Sequence, residues 1–328
     1  MRTKPPIWRR SKRPCTRRGA AQEWAFSPTA DGVRGAAWGM LAILAGMDER
    51  LAGYLQVVGL AGHRGHAARL VAGQFHDVVL AGETAYRFPR DELSRRRLPG
   101  TVTLLEALSR TSVPVPVPVA VGHIDAPLGR CHVALTRLPG DPLRVPDNPR
   151  AKDAVVGQLA GLLDRLALLG RDPAIRQLVP RVGEDHWLAF AGRVRHVLFP
   201  MMSGRGRLRA EAELAAVAAV TSTGDALVHT DLGGANLLWT TAGGVPRLTG
   251  VLDWDESCTG NQANDLASVA ATIGWPLAER IDGRRRVGAW PALADARIIA
   301  ATFALQQALP AALNGDNASL DEGLREYR

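Results

Sequence analysis

Apolar and polar positions recur along this chain in two ways, and the change between them divides it. From Ala68 to Phe88 the apolar residues come in short runs separated by turn formers. Ala68-Arg-Leu-Val-Ala72 runs into Gly73-Gln-Phe-His-Asp77, followed by Val78-Val-Leu-Ala81, a Gly82-Glu83 turn, and Thr84-Ala-Tyr-Arg-Phe88 before Pro89. That spacing predicts a three-stranded antiparallel meander with a glycine turn inside it. Ahead of it, Leu51, Leu55 and Val58 stand at i, i+4, i+7 within Asp48 to Gly59, which predicts a short helix packed on something larger. Behind it, Pro99 suits the first turn of a helix, and Val102, Leu105 and Leu108 put one apolar stripe on residues 100–110. Val113 to Val119 alternates Val with Pro; each Pro lacks an N–H and biases its predecessor away from the helix, so an edge strand is expected. Cys131 to Arg137 predicts another strand, ended by Leu138-Pro-Gly140.

From Asp141 onward the period lengthens. Residues 151–170, 185–199, 208–220, 264–275 and 291–313 carry apolar residues three and four apart and predict helices. Ala235 to Trp254 interrupts them with two strands around the Ala242-Gly-Gly-Val-Pro246 turn. The expected fold is α+β: a small antiparallel β-rich lobe over 47–138 and a larger, mainly helical lobe over 139–328, joined near Thr136 to Asp141.

The 328 residues are 46% hydrophobic and 22% charged, the proportions of a globular protein. The longest uncharged apolar run, Ala36 to Met47, falls well short of the roughly 18 to 20 residues that span a bilayer. A net charge of +8 suggests nucleic acid, but its location argues otherwise. Eight basic and no acidic residues lie in 1–18, so the remaining chain balances 32 basic against 32 acidic side chains. Residues 1–46 therefore read as a basic, disordered extension rather than a nucleic-acid arm. Neither nucleic acid nor membrane is an expected partner. Cys15, Cys131 and Cys258 are far apart and odd in number, which fits a reducing, cytoplasmic setting.

The informative stretch is Leu227-Val-His-Thr-Asp-Leu-Gly-Gly-Ala-Asn236, then Val251-Leu-Asp-Trp-Asp255 across the hairpin. The pattern H-x-D-x-x-x-x-N arises by chance on the order of 0.01 times in a chain of this composition. A carboxylate at Asp231 can accept a hydroxyl proton, while Asn236 and Asp253 offer hard oxygen ligands to Mg²⁺; this is the layout phosphoryl transfer requires. The same acids also suit a metal-dependent hydrolase, or plain capping of loops and turns.

At these residues the chain resembles the aminoglycoside phosphotransferase family, relatives of protein kinases that phosphorylate hydroxyls of small molecules and include macrolide phosphotransferase-like members. The resemblance covers about 47–328. It rests on His229-Thr-Asp231 with Asn236, Asp253-Trp-Asp255, Gly260 through Asp265-Leu-Ala267, Tyr86-Arg-Phe-Pro-Arg90 and Thr136-Arg-Leu-Pro-Gly140. It implies a two-lobed protein-kinase-like fold, an ATP or GTP cosubstrate with Mg²⁺, and a small-molecule hydroxyl substrate. It implies Asp231 as the base, Asn236 and Asp253 as metal ligands, Thr136 to Leu138 as the hinge whose backbone meets the base of the nucleotide, Asp265 as the buried acid that holds the catalytic loop, and His229 as an orienting residue.

Two departures touch the nucleotide half. Kinase-like folds use a strand lysine paired with a helix glutamate to hold phosphates. No lysine lies between Gly46 and Ala151; Arg87 stands in that place, and Thr101 stands where the acid is expected, with Glu106 about 140° round the helix. The glycine-rich element is reduced to Gly73, with Phe75 or His76 positioned to cover phosphates. These changes favour either a rewired phosphate site or a non-catalytic nucleotide-binding protein on the same fold. For the substrate, Glu184 and Asp185 beside Trp187 are the only acids opening the 185–199 helix. Arg193, Arg195, Arg205, Arg207 and Arg209 make the region basic, and Trp275 and Trp290 offer apolar walls. This leans toward a neutral or macrolide-like alcohol over a polycation.

Overall fold

A computed structural model describes residues 49–60, 68–73, 75–112, 115–287 and 292–328. Residues 1–46, Gln74, the start of the Val-Pro run and Trp290 lie outside the described residues. The chain divides into two compact units, one reaching to Pro99 and including Ala120–Arg137, the other comprising Gly100–Val119 and Leu138–Arg328. The chain passes from one unit to the other after Pro99, after Val119 and after Arg137.

The first unit is built on a five-stranded antiparallel sheet, order β1-β2-β3-β5-β4, with β1 Arg69–Ala72, β2 His76–Ala81, β3 Thr84–Pro89, β4 Ala120–Ile124 and β5 His132–Thr136. The expected meander is present as β1–β3. Its first turn requires a glycine: the Gly73 N–H donates to the His76 carbonyl at 2.9 Å, and a Cβ on Gly73 would come within 2.5 Å of that oxygen. Residues 49–57 are helical (α1) and lay Leu51, Tyr54, Leu55 and Val58 on Leu70, Val79 and Phe88. The Tyr54 ring stacks on Phe88 with centroids 4.1 Å apart. Asp77 on β2 is buried, and α1 supplies its partners: the Arg50 guanidinium pairs with it and the Tyr54 hydroxyl donates to it at 2.9 Å.

Two expectations change here. Helix α2 spans Glu92–Arg110, so Pro99 lies inside it and not in its first turn. The start is set by Asp91, whose carboxylate accepts the Ser94 N–H at 2.7 Å and whose carbonyl accepts the Arg95 N–H at 3.0 Å. The helix continues through Pro99 because its packing holds it: Leu98, Leu104, Leu105 and Leu108 on both sides of the proline are buried. Residues 115–119 form no strand; the Val251 N–H reaches the Pro116 carbonyl at 2.7 Å, but alternate prolines leave no ladder of donors, and β4 begins only at Ala120.

The second unit holds β6 Asp141–Pro142, α3 Pro149–Leu169, α4 Pro173–Arg176, α5 His186–Val197, α6 Gly204–Ala218, β7 Ala226–Val228, β8 Leu237–Ala242, β9 Val245–Val251, β10 Cys258–Gly260, α7 Ala263–Ile273, α8 Trp275–Asp282, α9 Ala292–Ala301, α10 Phe303–Asn314 and α11 Asn317–Leu324. Helix α3 is the spine, burying Leu159, Leu162, Leu163, Leu166 and Leu169 and packing on β7, β9 and α8. Its end is pressed onto β7: a Cβ on Gly170 would lie 2.1 Å from the Asp225 carbonyl oxygen and the Leu227 nitrogen. The single helix expected over 291–313 is two, bent by 44°. At the break, the Thr302 backbone N–H and side-chain hydroxyl both bond the Ile299 carbonyl, at 3.0 and 2.8 Å, which diverts the ladder. Among the described residues no single helix is long and apolar enough to cross a membrane, and the bent pair that approaches the length buries Ala296, Ile299, Leu305 and Ala308 in the unit's core.

The pairing of α1 with Asp77 generates a test. A chain beginning at Met47 keeps Arg50 and Tyr54 and is expected to unfold in urea at the midpoint of the full chain. A chain beginning at Leu60 strands a buried carboxylate and uncovers Phe88, and is expected to lose about 3–5 kcal/mol.

Candidate active site

The site grows out of the loop between β7 and β8. Pairing of β7 with β10, Val228 opposite Cys258, brings the chain to His229 at a fixed height. There the helix α7 takes over: the fully buried Asp265 carboxylate accepts the His229 N–H at 3.1 Å and the Thr230 N–H at 2.9 Å. This clamp holds Thr230 at φ 68°, a left-handed conformation rare for a β-branched residue. Asp231 follows, half-buried, and the loop tightens with the Gly233 N–H on the Asp231 carbonyl at 2.8 Å and a 3-10 turn over Gly234–Asn236. The Asn236 amide donates to two of the Asp231 oxygens, the backbone carbonyl at 2.9 Å and carboxylate Oδ2 at 2.6 Å. Five residues of separation thus become direct contact, with the Asn236 amide oxygen turned to the other side.

Asp253 is tied to the same loop through its neighbour. Leu252 receives the His229 Nε2 proton on its carbonyl at 2.8 Å and donates its N–H to the Asn236 carbonyl at 2.8 Å. A carbonyl only accepts, so the His229 proton is on Nε2. The histidine is wholly buried, with its ring edge-on to Trp254 at 4.9 Å, and Trp254 Nε1 in turn donates to Val251 at 3.0 Å. Asp253 stands at φ 66°, the second left-handed non-glycine residue described. Two strained residues on adjoining loops, both carrying polar side chains, mark a site where geometry is held against local preference. Asp255 accepts the Thr101 hydroxyl at 2.9 Å.

Thr272 was not among the expected site residues. Its hydroxyl oxygen accepts the Gly234 N–H at 2.8 Å while donating to Ser268 at 3.2 Å. The available signal was the polar stripe Asp265, Ser268, Thr272 at i, i+3, i+7 on a helix that is apolar from Leu266 onward apart from these residues, the face that α7 turns to the loop.

In the first unit, Arg87 lies at the centre of the sheet on β3, between Val78 and Val133, and donates from Nη2 to His76 Nδ1 at 3.2 Å. The Gly73 turn is stapled by Arg90, which donates from Nη1 to the Gly73 carbonyl at 2.7 Å and from its backbone N–H to Phe75 at 2.9 Å. Thr136 ends β5 opposite Thr84, and the next N–H, of Arg137, bonds Glu83 at 2.7 Å. In the second unit, the Leu138 side chain lies against Gly250 of β9, where a Cβ would meet its Cδ1 at 2.9 Å. Two of the five arginines near α5 are matched by carboxylates: Arg195 forks onto Glu211 at 2.6 and 3.0 Å and Arg209 joins Glu213 and Glu326, while Arg207 donates to the Phe199 carbonyl. Part of the positive charge counted against a polycationic substrate is thereby neutralised.

Residues 68–312 match the phosphotransferase enzyme family. The viomycin phosphotransferase of Streptomyces vinaceus is 42% identical over 267 residues, covering 78% of this chain and 91% of that protein. The chain belongs to the phosphotransferase enzyme family. It is a phosphotransferase whose acceptor is an alcohol group. Solved structures show the same kinase-like α+β fold. The GDP complex of aminoglycoside 2'-phosphotransferase-IIIa superposes with TM-score 0.70 at 20% identity over 83% of this chain and 95% of that one. The macrolide 2'-phosphotransferase of Brachybacterium faecium does so with TM-score 0.60 at 22% identity, over 82% and 97%.

Burial raises the Asp265 carboxyl from 3.8 to about 6, while the His229 charge and the two backbone N–H groups pull it back. A carboxyl raised on folding adds stability that is complete below its unfolded value near 3.8 and is lost as pH rises through about 6. The clamp needs the opposite state, since protonation turns an acceptor oxygen toward a donor N–H. Between pH 4 and 6 this phosphotransferase should therefore gain stability from Asp265 as pH falls while its kcat declines. Asp265→Asn should remove that pH dependence from both melting and kcat, and lower kcat about tenfold or more at pH 7.5.

Proposed function

We propose that the chain transfers a phosphoryl group from ATP or GTP to a hydroxyl of a small-molecule antibiotic or metabolite, with Asp231 as the base. The observation that carries this reading is the Asp231–Asn236 contact at 2.6 Å on a loop clamped by Asp265. The Asn236 amide fixes the carboxylate so that it meets an incoming hydroxyl in one orientation, and it accepts the proton as the oxygen attacks. Catalysis of this kind is mostly positioning. Relatives of the fold bind GDP, and another, aminoglycoside phosphotransferase APH(2'')-Ib, binds ADP, which supports a nucleotide cosubstrate here.

The donor set fits Mg²⁺. Asn236 presents an amide oxygen because its nitrogen is committed to Asp231, and Asp253 adds a carboxylate held in a left-handed conformation; both are hard oxygen donors. Asn236 and Asp253 would hold the ion, which when bound neutralises phosphate charge. His229 and Asp265 keep the loop in shape without touching reactants. In the sheet unit, Arg87 takes the role of the phosphate-binding lysine, with Gly73 giving phosphates access to backbone. Thr136 and Leu138 flank the backbone assigned to the nucleotide base. The sheet unit is thus assigned to nucleotide binding and the helical unit to catalysis and the acceptor. A nucleotide-consuming enzyme with two reduced, buried cysteines, Cys131 and Cys258, suits the cytoplasm.

For the acceptor, the 42% identical relative makes viomycin the first compound to try, followed by aminoglycosides and macrolides. In a nucleotide-consumption screen over these, turnover with at least one is expected. With that acceptor, Asp231→Asn should abolish transfer and leave nucleotide binding intact, since little volume changes, whereas Asp253→Ala should weaken binding of the magnesium nucleotide. Near-normal turnover of Asp231→Asn, at unchanged melting temperature, would show the base to be elsewhere. Arg87→Ala should raise the nucleotide KM or cut turnover by roughly ten- to a thousandfold.

A further inference from the structure

Thr101 is 6% exposed on the inner face of α2, among the buried Leu98, Leu104, Leu105 and Leu108. A hydroxyl on such a stripe costs stability unless it finds a partner. Its partner is the Asp255 carboxylate, 154 residues away in sequence, which accepts the Thr101 hydroxyl at 2.9 Å. On its other side the segment is tied to β9 through Trp254 Nε1, which donates to the Val251 carbonyl at 3.0 Å, and to the loop after β7 through Leu252. Between these two anchors lies Asp253, at φ 66°. Such a conformation persists only when its surroundings over-determine it.

We propose that Thr101 is a positioning residue for the acidic segment Asp253–Asp255, donating to Asp255 so that the Asp253 carboxylate is presented to the magnesium nucleotide. This rests on the assignment of Asp253 as a metal ligand. It also gives the unusual residue at position 101 a reason. An acid there would confront Asp255 at hydrogen-bond distance, two acceptors without a proton between them, whereas a threonine supplies the donor. At position 101 Asp255 is served by a donor and not by an acceptor.

The test is equilibrium binding of non-hydrolysable ATP and GTP analogues to the full chain by calorimetry, with Mg²⁺ and with EDTA, alongside melting curves. Thr101→Val keeps the shape and removes the donor; it should weaken Mg²⁺-dependent binding about three- to thirtyfold while binding in EDTA is unchanged. Thr101→Ser, which restores the hydroxyl, should recover most of the loss. Thr101→Glu should bind more weakly than Thr101→Val, and adding Asp255→Asn should recover part of that deficit, a coupling a double-mutant cycle measures. If Thr101→Val binds like the wild type while Asp253→Ala is impaired, the positioning role is wrong and the metal assignment stands. Equal impairment of Thr101→Val and Thr101→Ser would reduce Thr101 to packing and overturn the proposal. If Asp253→Ala leaves the Mg²⁺ dependence unchanged, the metal assignment falls, and the proposal with it.

Discussion

One buried carboxylate organises the loop between β7 and β8. Asp265 opens α7 with no exposure to solvent, and its two oxygens are occupied by consecutive backbone N–H groups of the loop that carries Asp231. Burying a charge is costly, which is why the carboxyl is raised to about 6, and the cost is tolerated because it fixes a strained peptide. Thr230 would not hold φ 68° on its own, and without it the chain would not turn Asp231 toward Asn236. The helix is itself anchored. Gln262 at its start donates to the Leu163 carbonyl of α3 at 2.6 Å and accepts from the buried Arg285, so the clamp is referred back to the spine of the unit.

The remaining constraints act in the same sense. Leu252 meets both His229 and Asn236, so the acidic segment after β9 cannot shift without disturbing the loop after β7. Thr272 fixes the glycine pair between Asp231 and Asn236 from the far end of α7. A kinase-like fold thus separates two tasks. Asp231 and Asp253 are half-buried, whereas His229 and Asp265, which hold the loop, are fully buried and bond to backbone. Backbone bonding explains why a loop of small, conformationally permissive residues can be rigid.

What could be read in the sequence followed from how local each signal is. The meander of β1–β3 was legible because its alternation and its glycine turns are written within neighbouring residues, and the same holds for the hairpin after Asn236. The H-x-D-x-x-x-x-N pattern was legible because one loop contains it. Contacts between distant segments left weaker traces. Pro99 pointed to a helix start because a proline there is usually terminal, while the real signal, Asp91 followed by Glu92-Leu-Ser94, lay upstream. The break at Thr302 needs a side chain that competes with the helix ladder, something apolar periodicity does not register. Tyr327, fully buried with its hydroxyl on Glu213 at 2.5 Å, closes α6 from the far end of the chain and had no sequence signature.

The two departures at positions 87 and 101 gain meaning from charge and donor bookkeeping. In each unit the unexpected residue has a chemical partner: Arg87 donates to a ring nitrogen of His76, and Thr101 donates to Asp255. Arginine keeps its charge wherever it is placed, so it does not require a neighbouring acid to stay ionised, as a buried lysine would. Each of the two residues is thus accounted for within its own unit, the guanidinium by a ring nitrogen and the hydroxyl by a carboxylate.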